Sequence, residues 1–122
     1  MKLHLDKPGE TRVFTAHGPD HVMVNGERYD HSIVVLAEEV RNDWCVANFD
    51  ELGAEHFSYF LALKPDVLLL GTGVRQRFPH PRLFGALTDA GIGLECMDTP
   101  AACRTYNILV AEDRRVVAAI LF

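Results

Sequence analysis

A chain of 122 residues with 48% hydrophobic and 24% charged residues has the balance of one ordinary globular domain with a core of its own. Its formal net charge of −5 and pI near 5.6 argue against a nucleic-acid partner held by a general basic field. Apolar runs stay well short of the roughly 20 residues needed to cross a bilayer, so membrane insertion is not expected.

The amino terminus, Met1-Lys2-Leu3-His4-Leu5-Asp6, has neither the apolar core of a signal peptide nor the Arg- and Ser-rich character of a transit peptide, which makes the cytoplasm the expected compartment. The three cysteines, Cys45, Cys96 and Cys103, are odd in number and show no C-x-x-C spacing. Neither a disulfide framework nor a Cys-based zinc site is expected. His17 and His21 are four apart, but Gly18-Pro19 between them rules out a shared face of one continuous helix. No metal or other cofactor is expected.

The first third of the chain reads as short strands. Arg12–His17 runs into the turn cluster Gly18-Pro19-Asp20, and His21–Val24 leads into Asn25-Gly26, a strong hairpin signal, with Glu27–Asp30 returning. Ser32–Ala37 is a further strand with little polar relief, so residues 12–37 read as an antiparallel meander feeding a main sheet. Trp44 and Val46 could extend it. Asn48 or Asp50 can cap the helix that follows, whose apolar positions Phe49, Leu52, Phe57, Phe60 and Leu61 recur at helical spacing until Lys64-Pro65.

Asp66–Gly73 is the centre of the pattern. Val67 to Leu70 are consecutively apolar, which suits a strand covered on both faces, and the run ends in Gly71-Thr72-Gly73. A polar connection leads to Pro81 and a second helix with Leu83, Phe84, Leu87 and Ala90 on one face, stopped by Gly91. Leu94–Met97 is the next strand. Thr99-Pro100 reads as a hydroxyl cap followed by a first-turn proline, opening a helix to about Glu112. Val116–Phe122 closes the chain as a strand. The order from residue 66 onward is that of an α/β domain.

If the strands from Val67 and Leu94 are parallel, Gly71–Gly73 and Thr99 share one sheet edge and present backbone N–H groups to a common space. The candidate ligand- or partner-binding set is Gly71, Thr72, Gly73, Arg75, Thr99, Arg104 and Asn107. Arginines near the edge suit a carboxylate or phosphate, although Pro100 removes one donor. The glycines equally suit a tight turn beside the helix, and Asn107 and Tyr106 equally suit bonds to neighbouring backbone. Neither a complete dinucleotide fingerprint nor a Walker lysine is present, and no Ser/His/Asp arrangement is legible, so no catalytic residue is assigned.

Three segments in order carry a resemblance: Gly71-Thr72-Gly73 after the apolar strand; Met97-Asp98-Thr99 followed by Ala101-Ala102-Cys103-Arg104-Thr105-Tyr106-Asn107-Ile108-Leu109; and Glu112-Asp113-Arg114-Arg115-Val116-Val117-Ala118-Ala119. Together they resemble the small α/β family known as domain of unknown function 498. Its members include a mitochondrial respiratory complex I assembly factor and an adipogenesis-associated protein. The resemblance implies an α/β, three-layer β+α/β/α fold with a mixed central sheet, an amino-terminal antiparallel hairpin layer, and a final strand antiparallel to its neighbours. It implies a non-catalytic binding or assembly module with a protein partner, here in a bacterial version, with a homo-oligomer also compatible. The alternative is an enzyme or sensor for a small anionic ligand at the Gly71–Gly73/Thr99 edge.

Overall fold

A computed structural model of the protein describes residues 10–122; the stretch read above for targeting signals lies outside these residues. Strands β1 (Phe14–His17), β2 (Val22–Val24) and β3 (Glu27–Tyr29) form a three-stranded antiparallel sheet in that order. Asn25 and Gly26 turn the β2–β3 hairpin with φ of 48° and 85°, the left-handed pair that matches strand twist. The meander ends there. β4 (Ile33–Leu36) leaves it and enters a second, five-stranded sheet ordered β5-β4-β8-β6-β7, with β5 at Glu39–Arg41, β6 at Val67–Thr72, β7 at Gly93–Met97 and β8 at Val116–Leu121.

The sheet is mixed. β6 pairs in parallel with both β7 and β8, and β4 is antiparallel to β8 and β5. The final strand is therefore antiparallel to β4 alone and parallel to β6, which corrects the expectation that it opposes both neighbours. Its route explains the direction. β6 crosses outward to β7 through α2 (Gly85–Asp89), and β7 crosses back over β6 to β8 through α3 (Thr99–Ala111). Right-handed crossovers running in opposite directions along a sheet put their helices on opposite faces.

Strand alternation divides the core accordingly. Ile33, Val35, Val67, Leu69, Val116, Ala118 and Ile120 face α3 and the small sheet, together with Phe14, Val22, Val24, Cys103 and Tyr106. Val34, Leu36, Leu68, Leu70, Val117, Ala119 and Leu121 face the opposite layer, against Trp44, Leu52, Phe57, Phe60 and Leu87. The result is the three-layer β+α/β/α arrangement: small sheet with α3, main sheet, short helices.

That outer helical layer is broken up. A 3-10 turn at Phe49–Glu51 is followed by extended Leu52 and Gly53, then α1 (Ala54–Ser58) and another 3-10 turn at Tyr59–Leu63. Neither Asn48 nor Asp50 caps α1. Gly53 precedes it, and its N–H donates to His56 Nδ1 at 2.8 Å. Leu63 is buried where Leu61 was expected to be, because the tighter 3-10 winding rotates the apolar face. Trp44 and Val46 are buried on a loop rather than a strand, and the indole N–H is satisfied by His56 O at 2.9 Å. Cys45 beside them is exposed, not strand-like.

Burial pushes the Cys103 thiol up to about 12 and the Cys96 thiol up to about 11, and raises Tyr106 by the same cause. Acids held neutral in the native state stabilise it below their unfolded pKa, and that stability is lost as pH rises toward the folded value. The contribution of the buried Cys103 thiol should thus be constant below about pH 9 and be lost progressively as pH rises toward the folded value. Urea unfolding at pH 8 and pH 10.5 measures the slope; Cys103→Ala should make it shallower, while an unchanged slope would remove this thiol from the balance.

Candidate functional site

The carboxyl ends of β6 and β7 lie side by side, as the parallel pairing requires, and the loop after β6 meets the start of α3 there. Gly71 lies where the helix crosses the sheet. A Cβ on it would come within 3.0 Å of Thr99 Oγ1, 3.1 Å of Ile120 Cδ1 and 3.2 Å of Ala102 Cβ. Gly73 adopts φ +102°, and a Cβ there would stand 3.3 Å from the Phe122 carbonyl carbon.

Thr99 is not the helix cap. Asp98 is: its Oδ1 accepts the Ala101 N–H at 2.8 Å, and Thr99 is the first helical residue. The Thr99 hydroxyl instead donates to Leu121 O at 2.6 Å and accepts the Gly73 N–H at 2.9 Å, while the Thr99 N–H donates to Gly73 O at 2.8 Å. This corrects the expectation of free backbone donors. The helix's first N–H is taken by Gly73, Pro100 has none, and the third is taken by the Asp98 carboxylate. An anion would meet no free donor in the first three positions and would face that carboxylate. The geometry does not support the small-anion alternative.

The remaining polar groups fix the loop. Thr72 Oγ1 lies 2.7 Å from Arg75 O and 3.1 Å from Met97 O, and accepts the Arg77 N–H at 3.2 Å. Gln76 Nε2 donates to Cys96 O at 2.9 Å. Arg77 reaches Asp50 at 2.7 Å and stacks 4.2 Å above the Phe49 ring, so it belongs to the scaffold. The loop is pinned at three places, yet its Val74 is 74% exposed and its Phe78 72% exposed, on either side of exposed Arg75. Sequence reasoning passed over these two apolar residues. The available signal was their presence in a connection otherwise made of Arg, Gln and Pro.

Asn107 and Arg104 lie further along α3, facing the small sheet. Asn107 acts as a surrogate strand: its Oδ1 accepts the Phe14 N–H at 2.9 Å and its Nδ2 donates to Phe14 O at 2.8 Å. Tyr106 donates to Arg12 O at 2.9 Å and stacks edge-on against Phe14. Both residues thus hold β1 on the domain. Arg104 is exposed on the rim of a cleft of about 330 Å³ lined also by Thr15, Ala16, His17 and Cys103. A second cleft, about 300 Å³ and mostly apolar, lies between His17, Pro19, Gly73, Val74, Thr99 and Pro100. The structure therefore brings Gly71, Thr72, Gly73, Arg75 and Thr99 to one edge, and puts Arg104 and Asn107 in the adjoining cleft.

Among the described residues no cluster of three or more His, Cys, Asp or Glu could hold a metal, and no helix is long and apolar enough to cross a membrane. Gly71→Ala should lower unfolding free energy by about 1–3 kcal/mol, because α3 and β8 both crowd the new methyl. Asn107→Ala should speed amide exchange at Phe14 selectively, and cost about 1–3 kcal/mol by stranding both Phe14 backbone groups. Denaturant titration and hydrogen exchange read the two; exchange at Phe14 matching the wild type would mean that Asn107 is not the clamp.

Comparison with known proteins places this geometry. The chain is 33% identical over 111 residues to the NADH dehydrogenase (ubiquinone) 1 alpha subcomplex assembly factor 3 of Danio rerio, a match covering 89% of this chain and 63% of that protein. It thus spans less than two thirds of that relative's length. A 13 kDa major membrane protein of Francisella tularensis is 27% identical over 122 residues, covering 99% of each. A crystal structure of a Bordetella parapertussis protein superposes with a TM-score of 0.85 at 42% identity, covering 91% of this chain and 95% of the other. Residues 14–121 match the proteins of unknown function DUF498/DUF598, and with the fold, the glycine loop and the α3 segment in agreement, the chain belongs to that family.

Proposed function

We propose that the protein is a non-catalytic binding or assembly module that receives a protein partner at the carboxyl edge of β6. One observation carries this reading: Val74 and Phe78 stand exposed around Arg75 on a loop that Thr72, Gln76 and Arg77 hold rigid. A mobile loop would lose conformational entropy on binding, whereas a pinned one presents its apolar side chains already ordered. Exposed apolar residues rimmed by charge are the usual composition of a contact surface. The hydroxyls of Thr72 and Thr99 are engaged inside the fold, which favours contact over chemistry at this edge.

Relatives named as assembly factors for NADH dehydrogenase support the assembly reading. In its narrower form, the partner is a subunit or assembly intermediate of a respiratory NADH dehydrogenase, and the compartment is the cytoplasmic side of a bacterial cell.

A photo-crosslinking residue placed at Val74 or Phe78 should capture one and the same partner in the source cell, and the same residue at exposed Asp113 should not. Arg75→Glu combined with Arg104→Glu should reduce capture, with an effect that shrinks as salt rises, since exposed charges are screened beyond about 8–10 Å. Arg77 is left intact because it braces the loop. Equal capture from all three positions would remove this edge as the docking surface, and identification of the captured protein tests the narrower form.

A further inference from the structure

The two clefts beside α3 adjoin at His17, which lines both, and end to end they follow the helix as a groove with His17 at its middle. One wall is α3 from Pro100 to Asn107; the other is the outer edge of β1. Asn107 shows that this edge points into the groove, since it bonds both backbone groups of Phe14 from the side away from β2. A bulge between Phe14 and Ala16 then shifts the register. Beyond it, the Gly18 N–H donates to His21 O at 2.9 Å, which turns Gly18 toward the hairpin partner. By alternation, His17 directs its N–H and C=O outward, into the groove. Among the described residues no side chain does at His17 what Asn107 does at Phe14.

The chemistry along the groove is graded. At the Gly73 end the lining is Pro19, Val74, Pro100 and Thr99, with little polar surface. At the Asn107 end stands Arg104, exposed and without an ion-pair partner among the described residues. Pro100 and Arg104 are separated by about 6 Å along the helix axis. Two extended residues span about 6.6 Å. The groove from Pro100 to Asn107 is about 10 Å long, room for three or four extended residues.

We propose that this groove takes a short extended segment of the partner protein, added to the outer edge of β1 at His17, with an apolar side chain in the Val74/Pro19/Pro100 cleft and a carboxylate side chain two residues away on Arg104. The backbone supplies the attachment and the alternate side chains supply selectivity. This rests on the reading of the chain as a partner-binding module and names the chemistry that the partner must offer. The acidic choice follows from charge and place: Arg104 stands exposed on the rim of the cleft with no carboxylate in ion-pair range among the described residues, so a carboxylate on the incoming segment would be its counter-charge.

The test pans a phage-displayed library of random linear hexapeptides against the folded protein. Enriched peptides should carry an apolar and an acidic residue two positions apart. Chemically synthesised, they should slow amide exchange at His17 and lose at least tenfold in affinity against Arg104→Glu and against Ala16→Trp, which fills the groove from an exposed position. Circular dichroism and an amide NMR fingerprint confirm that both variants are folded. No enrichment, or peptides indifferent to both variants, overturns the inference. Self-association that Ala16→Trp abolishes would make a second copy the occupant and also overturn it. The broader reading fails separately: a partner still crosslinked at Val74 and Phe78 by the Ala16→Trp variant leaves the module's docking edge standing and removes only the strand-addition mode.

Discussion

Three parts of the chain far apart in sequence are tied at one hydroxyl. Thr99 Oγ1 gives its proton to Leu121 O at 2.6 Å and accepts the Gly73 N–H at 2.9 Å, and the Thr99 N–H returns to Gly73 O. The end of β6, the start of α3 and the end of β8 therefore converge on a single buried side chain, which is 2% exposed. Such a knot tolerates no unpaired member, since a buried donor or acceptor left without a partner costs about 1–3 kcal/mol. It also sets the spacing of helix and sheet, and that spacing is what Gly71 must clear.

The knot explains why a loop with a phosphate-binding look offers an anion no free backbone donor at the helix start. Backbone donors are a finite resource at a helix start, and here they are spent on Gly73 and Asp98. What remains available to the outside is the far side of the same loop, where Val74, Arg75 and Phe78 project from a segment braced by Thr72, Gln76 and Arg77. Rigidity at the base and apolar exposure at the tip are two results of one construction.

The small sheet depends on the helix in a parallel way. β1 to β3 are each three or four residues long, and an isolated ribbon of that size is marginal in water. Burial of Phe14, Val22 and Val24 against the main core holds it, and Tyr106 and Asn107 fix its register through the backbone of Arg12 and Phe14. Consecutive residues on one helix serve the same strand because Tyr106 reaches it from the buried face and Asn107 from the rim.

Much of this architecture is legible in the linear sequence because it follows from local rules. Apolar runs such as Val67–Leu70 and Val116–Leu121 suit buried strands, Asn25-Gly26 signals a tight turn, and a first-turn proline at Pro100 marks a helix start. The family resemblance likewise lies in residues that these rules constrain. Tertiary structure alone decided the rest. Strand order and direction depend on where each connection returns the chain: α3 carries it back across the sheet to lie between β6 and β4, so β8 emerges parallel to β6 and antiparallel to β4, and no local pattern in β8 encodes those neighbours. Capping passed from Thr99 to Asp98 because Leu121 and Gly73, contacts invisible in sequence, compete for the threonine hydroxyl. The exposure of Val74 and Phe78 was hidden for the same reason: an apolar residue is buried or bare according to what folds over it, and that is a property of the assembled chain.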